Sequence, residues 1–132
     1  MWEYFIMFGI MFLSGILSSM NVWVDKYQDI RIGLNDVYMA LLMSGWMFFF
    51  TGIYYQYSPV SLSGLSLVLL MIWCIRKQLF IDMYQYNLGM IPHHSMAVYM
   101  SKKLLAKKPP NEKYLLNIIH NQEKEIEYMK SL

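Results

Sequence analysis

Three long runs of uncharged, mostly apolar residues constrain this chain more than any other feature of its sequence. They cover residues 4–24, 37–57 and 60–75, and none contains Asp, Glu, Lys or Arg. A helix needs about 20 apolar residues to cross a hydrocarbon layer roughly 30 Å thick. Hydrophobic residues make up 57% of the chain and charged residues 15%, against about 25% charged in ordinary soluble domains. We therefore expect a transmembrane region in residues 1–77 with three membrane-spanning helices.

Basic residues are unevenly distributed between the loops that join these runs. The loop 25–36 carries Lys26 and Arg31, whereas residues 58 and 59, between the second and third runs, carry no charge. Residues 76–132 hold nine Lys and Arg against five Asp and Glu. With three spans, the positive-inside rule predicts an integral, multi-pass protein whose loop 25–36 and C-terminal segment lie on the cytoplasmic side.

Beyond Lys77 the hydrophobic period changes to that of amphipathic helices, and residues 78–132 are expected to form a helical hairpin. The first helix covers about 78–106, with an interruption expected near Gly89 or Pro92 because proline lacks a hydrogen-bond donor. A Lys-Lys-Pro-Pro-Asn turn follows it. The last helix has one buried face, at spacings of 4, 3, 4 and 3, formed by Leu115, Ile119, Gln122, Ile126 and Met129. The short turn predicts two antiparallel neighbours.

The segment MIPHHSMAVYM, residues 90–100, contains the residues best suited to chemistry. Imidazole and thioether ligands together suit Cu(I), so one interpretation is a soft-metal site. Its ligands would be His93 and His94 with Met90, Met100 or Met129. In a second interpretation, the histidines only form hydrogen bonds to Gln122 and Glu125 on the last helix. A polar residue in a core stripe needs such a partner, since leaving it unpaired costs about 1–3 kcal/mol.

Motifs of other functional classes are missing from the sequence. It contains no HExxH zinc motif, no nucleophile–base–acid set and no phosphate-binding loop. No basic-aromatic pattern indicates nucleic-acid binding. We expect a protein that is not an enzyme and whose partners are membrane lipid, other membrane proteins or further copies of itself.

Two helical motifs resemble a bacterial family called domain of unknown function 305. The family pattern is Met-Ile-(Pro)-His-His-x-x-Ala-x-x-Met, followed by a later Ile-x-x-x-Gln-x-x-Glu-Ile-x-x-Met helix. The first is matched by Met90, Ile91, Pro92, His93, His94, Ala97 and Met100, and the second by Ile118, Gln122, Glu125, Ile126 and Met129. A membrane-anchored branch adds features matched by Tyr38, Met39, Arg76, Gln78 and Asp82. The resemblance implies a ferritin-like helical fold and, for some members, copper or silver binding through His and Met.

The sequence therefore predicts an all-α protein with three transmembrane helices followed by a ferritin-like antiparallel hairpin. The expected function is a small integral membrane protein whose hairpin binds Cu(I) through His93, His94 and the three methionines, with Gln122 and Glu125 orienting the imidazoles. The alternative is a structural membrane protein of a viral or cellular envelope that binds no metal.

Overall fold

The computed structural model describes residues 2–132, and all regular structure within them is helical. Five α-helices follow one another along the chain: α1 Trp2–Leu17, α2 Leu34–Tyr54, α3 Ser58–Lys77, α4 Met83–Leu105 and α5 Glu112–Lys130. Two short 3₁₀ helices, Met20–Trp23 and Tyr27–Asp29, lie between α1 and α2. The all-helical fold class is confirmed.

Three stretches are long and apolar enough to cross a membrane, as the hydropathy of the sequence predicts. They are Trp2–Trp23, Leu34–Tyr54 and Ser58–Lys77. Their bounds differ in part from the predicted ones. The first α-helix ends at Leu17 rather than at residue 24, because the chain turns at Ser18 and Ser19 into the 3₁₀ helix Met20–Trp23. The second begins at Leu34, because Asp36 lies in its first turn, where the helix dipole favours a negative charge.

The chain divides into two compact units. They are not separated by the single boundary at residue 77 that the sequence predicts. One, which we call the apolar unit, comprises the described part of Met1–Ser19 together with Leu34–Ile81. The other, the polar unit, comprises Met20–Gly33 and Asp82–Leu132. The segment Met20–Gly33, which we call the connector, thus folds with the C-terminal helices, although it lies between α1 and α2 in sequence.

Glycines permit close helix contacts in the apolar unit. A Cβ atom added to Gly64 on α3 would lie 2.4 Å from the backbone nitrogen of Phe49 and 2.5 Å from the carbonyl oxygen of Gly45, both on α2. A Cβ on Gly15 of α1 would lie 3.0 Å from the Cα of Ala40 on α2. Small residues at such positions let helix backbones approach closely, which is the usual basis of packing between membrane helices.

The C-terminal end of α3 is fixed to α2 by polar contacts. The hydroxyl of Tyr38 donates a 2.6 Å hydrogen bond to the carbonyl oxygen of Leu79, just beyond α3. Gln78 ends α3 in the left-handed conformation, with φ of 49°, and its side-chain amide donates to Asn35 at 3.0 Å. These contacts satisfy polar groups where α2 begins and α3 ends.

The polar unit contains the antiparallel hairpin of α4 and α5. Its core consists of Ile91 and Val98 from α4 with Ile126 and Met129 from α5, all buried. Leu115 is also buried, and Ile119 is partly buried against the core. The predicted packing face of the last helix is therefore confirmed.

Helix α4 runs without interruption through Gly89 and Pro92, so the expected break is wrong. Pro92 is buried inside the continuous helix, which therefore tolerates the loss of the one backbone donor that proline lacks.

Candidate functional site

Helix α4 presents the residues of the histidine segment to two different partners. Asp82 caps the N-terminus of the helix: its side chain accepts a 2.9 Å hydrogen bond from the amide of Gln85. His93 lies eleven residues after Asp82 and is followed directly by His94 and Ser95. Successive side chains of a helix point in directions about 100° apart. His93 is exposed, His94 faces α5, and Ser95 is fully buried against the connector. One turn of helix thus contacts both neighbouring segments.

His94 contacts Glu125 across the hairpin. Its Nδ1 lies 2.8 Å from a carboxylate oxygen of Glu125, and its side chain is 15% exposed whereas that of Glu125 is 54% exposed. The two groups are close but not aligned as a hydrogen bond, so Nδ1 has no aligned partner among the described residues. Of the contacts expected between the histidines and the residues Gln122 and Glu125, the structure shows that of His94 with Glu125.

The environment of His94 lowers the pKa of its imidazole from the ordinary value of 6.5. The main cause is burial, which removes the charged form from water. The negative charge of Glu125 opposes this shift, and the neighbouring imidazole of His93 adds to it; the two rings lie 5.9 Å apart between centroids. His94 is therefore predominantly neutral near pH 7 and can offer a ring nitrogen as a ligand or acceptor.

The three candidate methionine ligands occupy different surroundings. Met129 is buried in the hairpin core beside Ile91 and Ile126, and Met90 packs against that core. Met100 is half-exposed and lines an open depression with Trp23 and Tyr99. Met90 and Met129 thus both belong to the region of the hairpin core, whereas Met100 has a different set of neighbours.

Of the two polar residues of α5 that were expected to orient the imidazoles, Glu125 contacts a histidine in the structure. Gln122 is partly buried on α5, and the residue that contacts a histidine is Glu125. Among residues 2–132, no group of three or more His, Cys, Asp or Glu side chains is arranged to hold a metal ion.

Sequence reasoning missed a polar cluster on the opposite side of α4. The buried carboxylate of Asp29, in the connector, accepts a 2.6 Å hydrogen bond from the hydroxyl of Ser95 and forms an ion pair with Lys130 of α5. The Ser95 oxygen also accepts a 2.8 Å hydrogen bond from the backbone amide of Asp25. We call Asp29, Ser95 and Lys130 the Asp29 triad; it joins the connector, α4 and α5.

Two further contacts extend this arrangement along the connector. Lys102 of α4 donates a 2.9 Å hydrogen bond to Asp25, and this bond raises the pKa of the Lys102 ammonium group. The side chain of Asn21 pairs with the backbone of Arg31 twice, at 2.7 and 3.0 Å, and so closes the connector on itself. Ser95 and Lys102 are seven residues apart and share one face of α4, a spacing that is visible in the sequence.

Together these features define a class: an all-helical protein with three helices able to cross a membrane and a separate polar unit made of a connector and a helical hairpin. No protein-family model matches the chain, and no solved structure matches it. The chain is 41% identical over 129 residues to "Uncharacterized protein L153" of Acanthamoeba polyphaga mimivirus, an alignment that covers 92% of this chain and 84% of that protein. The chain belongs to the same protein family as the mimivirus protein.

Proposed function

We propose that this chain is a multi-pass structural protein of a viral or cellular membrane, in which three membrane-spanning helices anchor a small extramembrane scaffold. The scaffold is the polar unit. The observation that carries the proposal is the Asp29 triad, which ties the connector to both helices of the hairpin. The mimivirus relative supports a viral membrane as one setting.

The connector packs against the hairpin, which supports an arrangement in which α2 and α3 each cross the membrane once. Two apolar helices, α2 and α3, lie between the connector and Asp82 in sequence. If each crosses the membrane once, the chain returns to the side from which it started, and the connector and the hairpin lie in the same compartment. The charges of Lys26, Arg31, Arg76 and Lys77 favour the cytoplasmic side for both.

Cysteine labelling of the full chain in sealed vesicles tests this topology. Cys74 is replaced by Ala, and single cysteines are placed at the exposed positions Tyr27, Tyr128 and Tyr55. We expect Tyr27→Cys and Tyr128→Cys to react with an impermeant maleimide from one side, and Tyr55→Cys, at the end of α2, from the other. Reaction of Tyr27→Cys and Tyr128→Cys from opposite sides would contradict the proposal.

A second proposal is that the same unit binds a soft metal, Cu(I), at His93 and His94. The supporting observation is the carboxylate of Glu125 beside Nδ1 of His94. Metal-binding histidines commonly face a carboxylate with one nitrogen, which orients the ring and leaves the other nitrogen for the metal. The adjacent imidazoles of the two histidines fit such a site. Met129 is buried in the core and could bind a metal only after a local rearrangement, so Met90 and Met100 are the more accessible thioethers.

Competition against a chromophoric Cu(I) chelator distinguishes the two proposals. If the hairpin binds copper, the double change His93→Ala and His94→Ala abolishes stoichiometric binding, Glu125→Gln weakens it, and the control His120→Ala, at an exposed position of α5, leaves it unchanged. Wild-type stoichiometry in the double variant, or no binding by the unmodified chain, would refute the metal site and leave the scaffold as the function.

We also propose that the polar unit forms half of a ferritin-like bundle. A single hairpin supplies two helices, and a ferritin-like bundle needs four. We propose that the hairpin of a second copy supplies the other two. A dimeric mass in mild detergent supports this arrangement, and a monomer at all protein concentrations contradicts it.

A further inference from the structure

An open groove on the polar unit combines apolar and basic side chains. It has a volume of about 550 Å³ and runs between the 3₁₀ helix Met20–Trp23, the C-terminal half of α4 and the beginning of α5. Its apolar lining is formed by Trp23, Tyr99, Met100, Leu104 and Leu115. We call it the Met100 groove.

Three large apolar side chains of the groove are partly exposed next to one another. Trp23, Met100 and Leu104 are each about half exposed, at 49%, 50% and 48%, although all three are large and apolar. Clustered apolar side chains of this kind, rimmed by polar residues, mark interaction sites more often than single exposed ones do.

The charges around the groove have one sign. Lys103 and Lys107 line it, and no acidic residue does. Lys103 lies 5.5 Å from the ring centre of Tyr99, so its charge is held over the aromatic surface of the groove. A partner must therefore be apolar at its centre and negatively charged at its edge.

The position of Trp23 indicates which partner meets this description. Trp23 lies six residues beyond the end of α1, at the end of the 3₁₀ helix that closes the apolar stretch Trp2–Trp23. Tryptophan is enriched at the boundary between the hydrocarbon and the headgroups. The same residue lines the Met100 groove. We infer that the Met100 groove docks on the anionic headgroup region of the bilayer in which the chain is anchored, with Met100 and Leu104 entering the interface and Lys103 and Lys107 contacting lipid phosphates or carboxylates.

This inference rests on the membrane anchoring proposed above and adds a specific lipid contact to it. Each basic residue near an anionic membrane surface shifts a docking equilibrium by about fivefold at physiological salt. Loss of both Lys103 and Lys107 is thus expected to reduce the ratio of docked to undocked polar unit roughly 30-fold. Salt at about 1 M shortens the Debye length to about 3 Å and should have a similar effect without any mutation.

The test uses a spin label on the full chain in lipid nanodiscs. In a Cys74→Ala background, one sample carries the label at Met100→Cys and a matched control carries it at Tyr128→Cys, an exposed position outside the groove. Collision with oxygen, which concentrates in lipid, is compared with collision with a water-soluble nickel chelate. Discs of neutral phosphatidylcholine are compared with discs containing phosphatidylserine.

We expect the Met100→Cys label to become lipid-accessible only in anionic discs, and Tyr128→Cys to remain in water in both. The combined Lys103→Gln and Lys107→Gln changes or high salt should reverse the effect, whereas Lys124→Gln, which removes a charge outside the groove, should not. A label at Met100→Cys that stays in water, or that enters lipid equally in neutral discs, overturns the inference while leaving anchoring intact. A chain that fails to insert into either disc overturns both.

Discussion

The apolar unit and the polar unit differ in how their helices approach one another. In the apolar unit, α2 and α3 approach each other at glycines such as Gly45 and Gly64. In the polar unit, a small apolar core is combined with hydrogen bonds and ion pairs between segments distant in sequence. The difference follows from the proposed surroundings. Lipid provides no hydrophobic force between apolar helices, so their association depends on close packing. In water, burial of Ile91 and Val98 contributes directly.

The largest effect is expected from the Asp29 triad. Replacing Lys130 with Met leaves the buried carboxylate of Asp29 without its counter-ion. Breaking a buried pair by removing one partner typically costs about 3–5 kcal/mol. We expect a loss of this size in the free energy of unfolding of the polar unit, measured by denaturant titration in detergent. The double change Asp29→Asn and Lys130→Met should restore part of it, since no buried charge then remains. Equal losses in the single and double variants would show that Asp29 is not buried with Lys130.

A glycine substitution should give a smaller effect in the apolar unit. Gly64→Ala places a Cβ within 2.5 Å of backbone atoms of α2, so the helices must move apart. Overpacking of this kind costs about 1–3 kcal/mol. The matched control is Gly9→Ala on α1, where an added Cβ meets nothing within 4 Å and little change is expected. Equal stability of both variants in a detergent unfolding assay would contradict the close α2–α3 contact.

The smallest effect concerns pH and His94. Because burial lowers the pKa of the folded imidazole below 6.5, the unfolded chain binds a proton more readily than the folded one as pH falls below that value. Stability should therefore be full above about pH 6.5 and decrease on acidification, by at most about 1.4 kcal/mol per pH unit for one proton. His94→Gln should abolish this loss of stability on acidification. Glu125→Gln removes the negative charge that favours protonation of His94, so it should enlarge the loss. Unfolding titrations at about pH 7.5 and about pH 5.5 measure both.

The sequence predicts much of the apolar unit because hydropathy is a property of successive residues. The existence of three apolar helices follows from their length and lack of charge, and the face of α5 follows from the spacing of Leu115, Ile126 and Met129. The predicted ends of these helices are less accurate than their predicted positions. The turn at Ser18 and the inclusion of Asp36 in α2 depend on local capping and dipole effects that hydropathy does not contain.

The Asp29 triad could not be predicted because its members are far apart in sequence. Asp29 is 66 residues from Ser95 and 101 residues from Lys130. A charged loop between two apolar runs is normally expected to remain in solvent, and nothing local distinguishes Asp29 from the neighbouring charges. The histidine pair, by contrast, was conspicuous in sequence, and the structure engages only His94 with the opposite helix.

Hydrogen exchange of the connector tests most directly whether it folds with the hairpin. The backbone amides of Asp25, Asp29, Ile30 and Arg31 all donate hydrogen bonds. In the unmodified chain, these amides should be protected. Ser95→Ala, which removes the contact to Asp25 and Asp29, should increase their exchange and leave α5 protected; Asn117→Ala, at an exposed position, should change nothing. If the connector of the unmodified chain exchanges at the rate of an unstructured peptide, it does not fold with the hairpin.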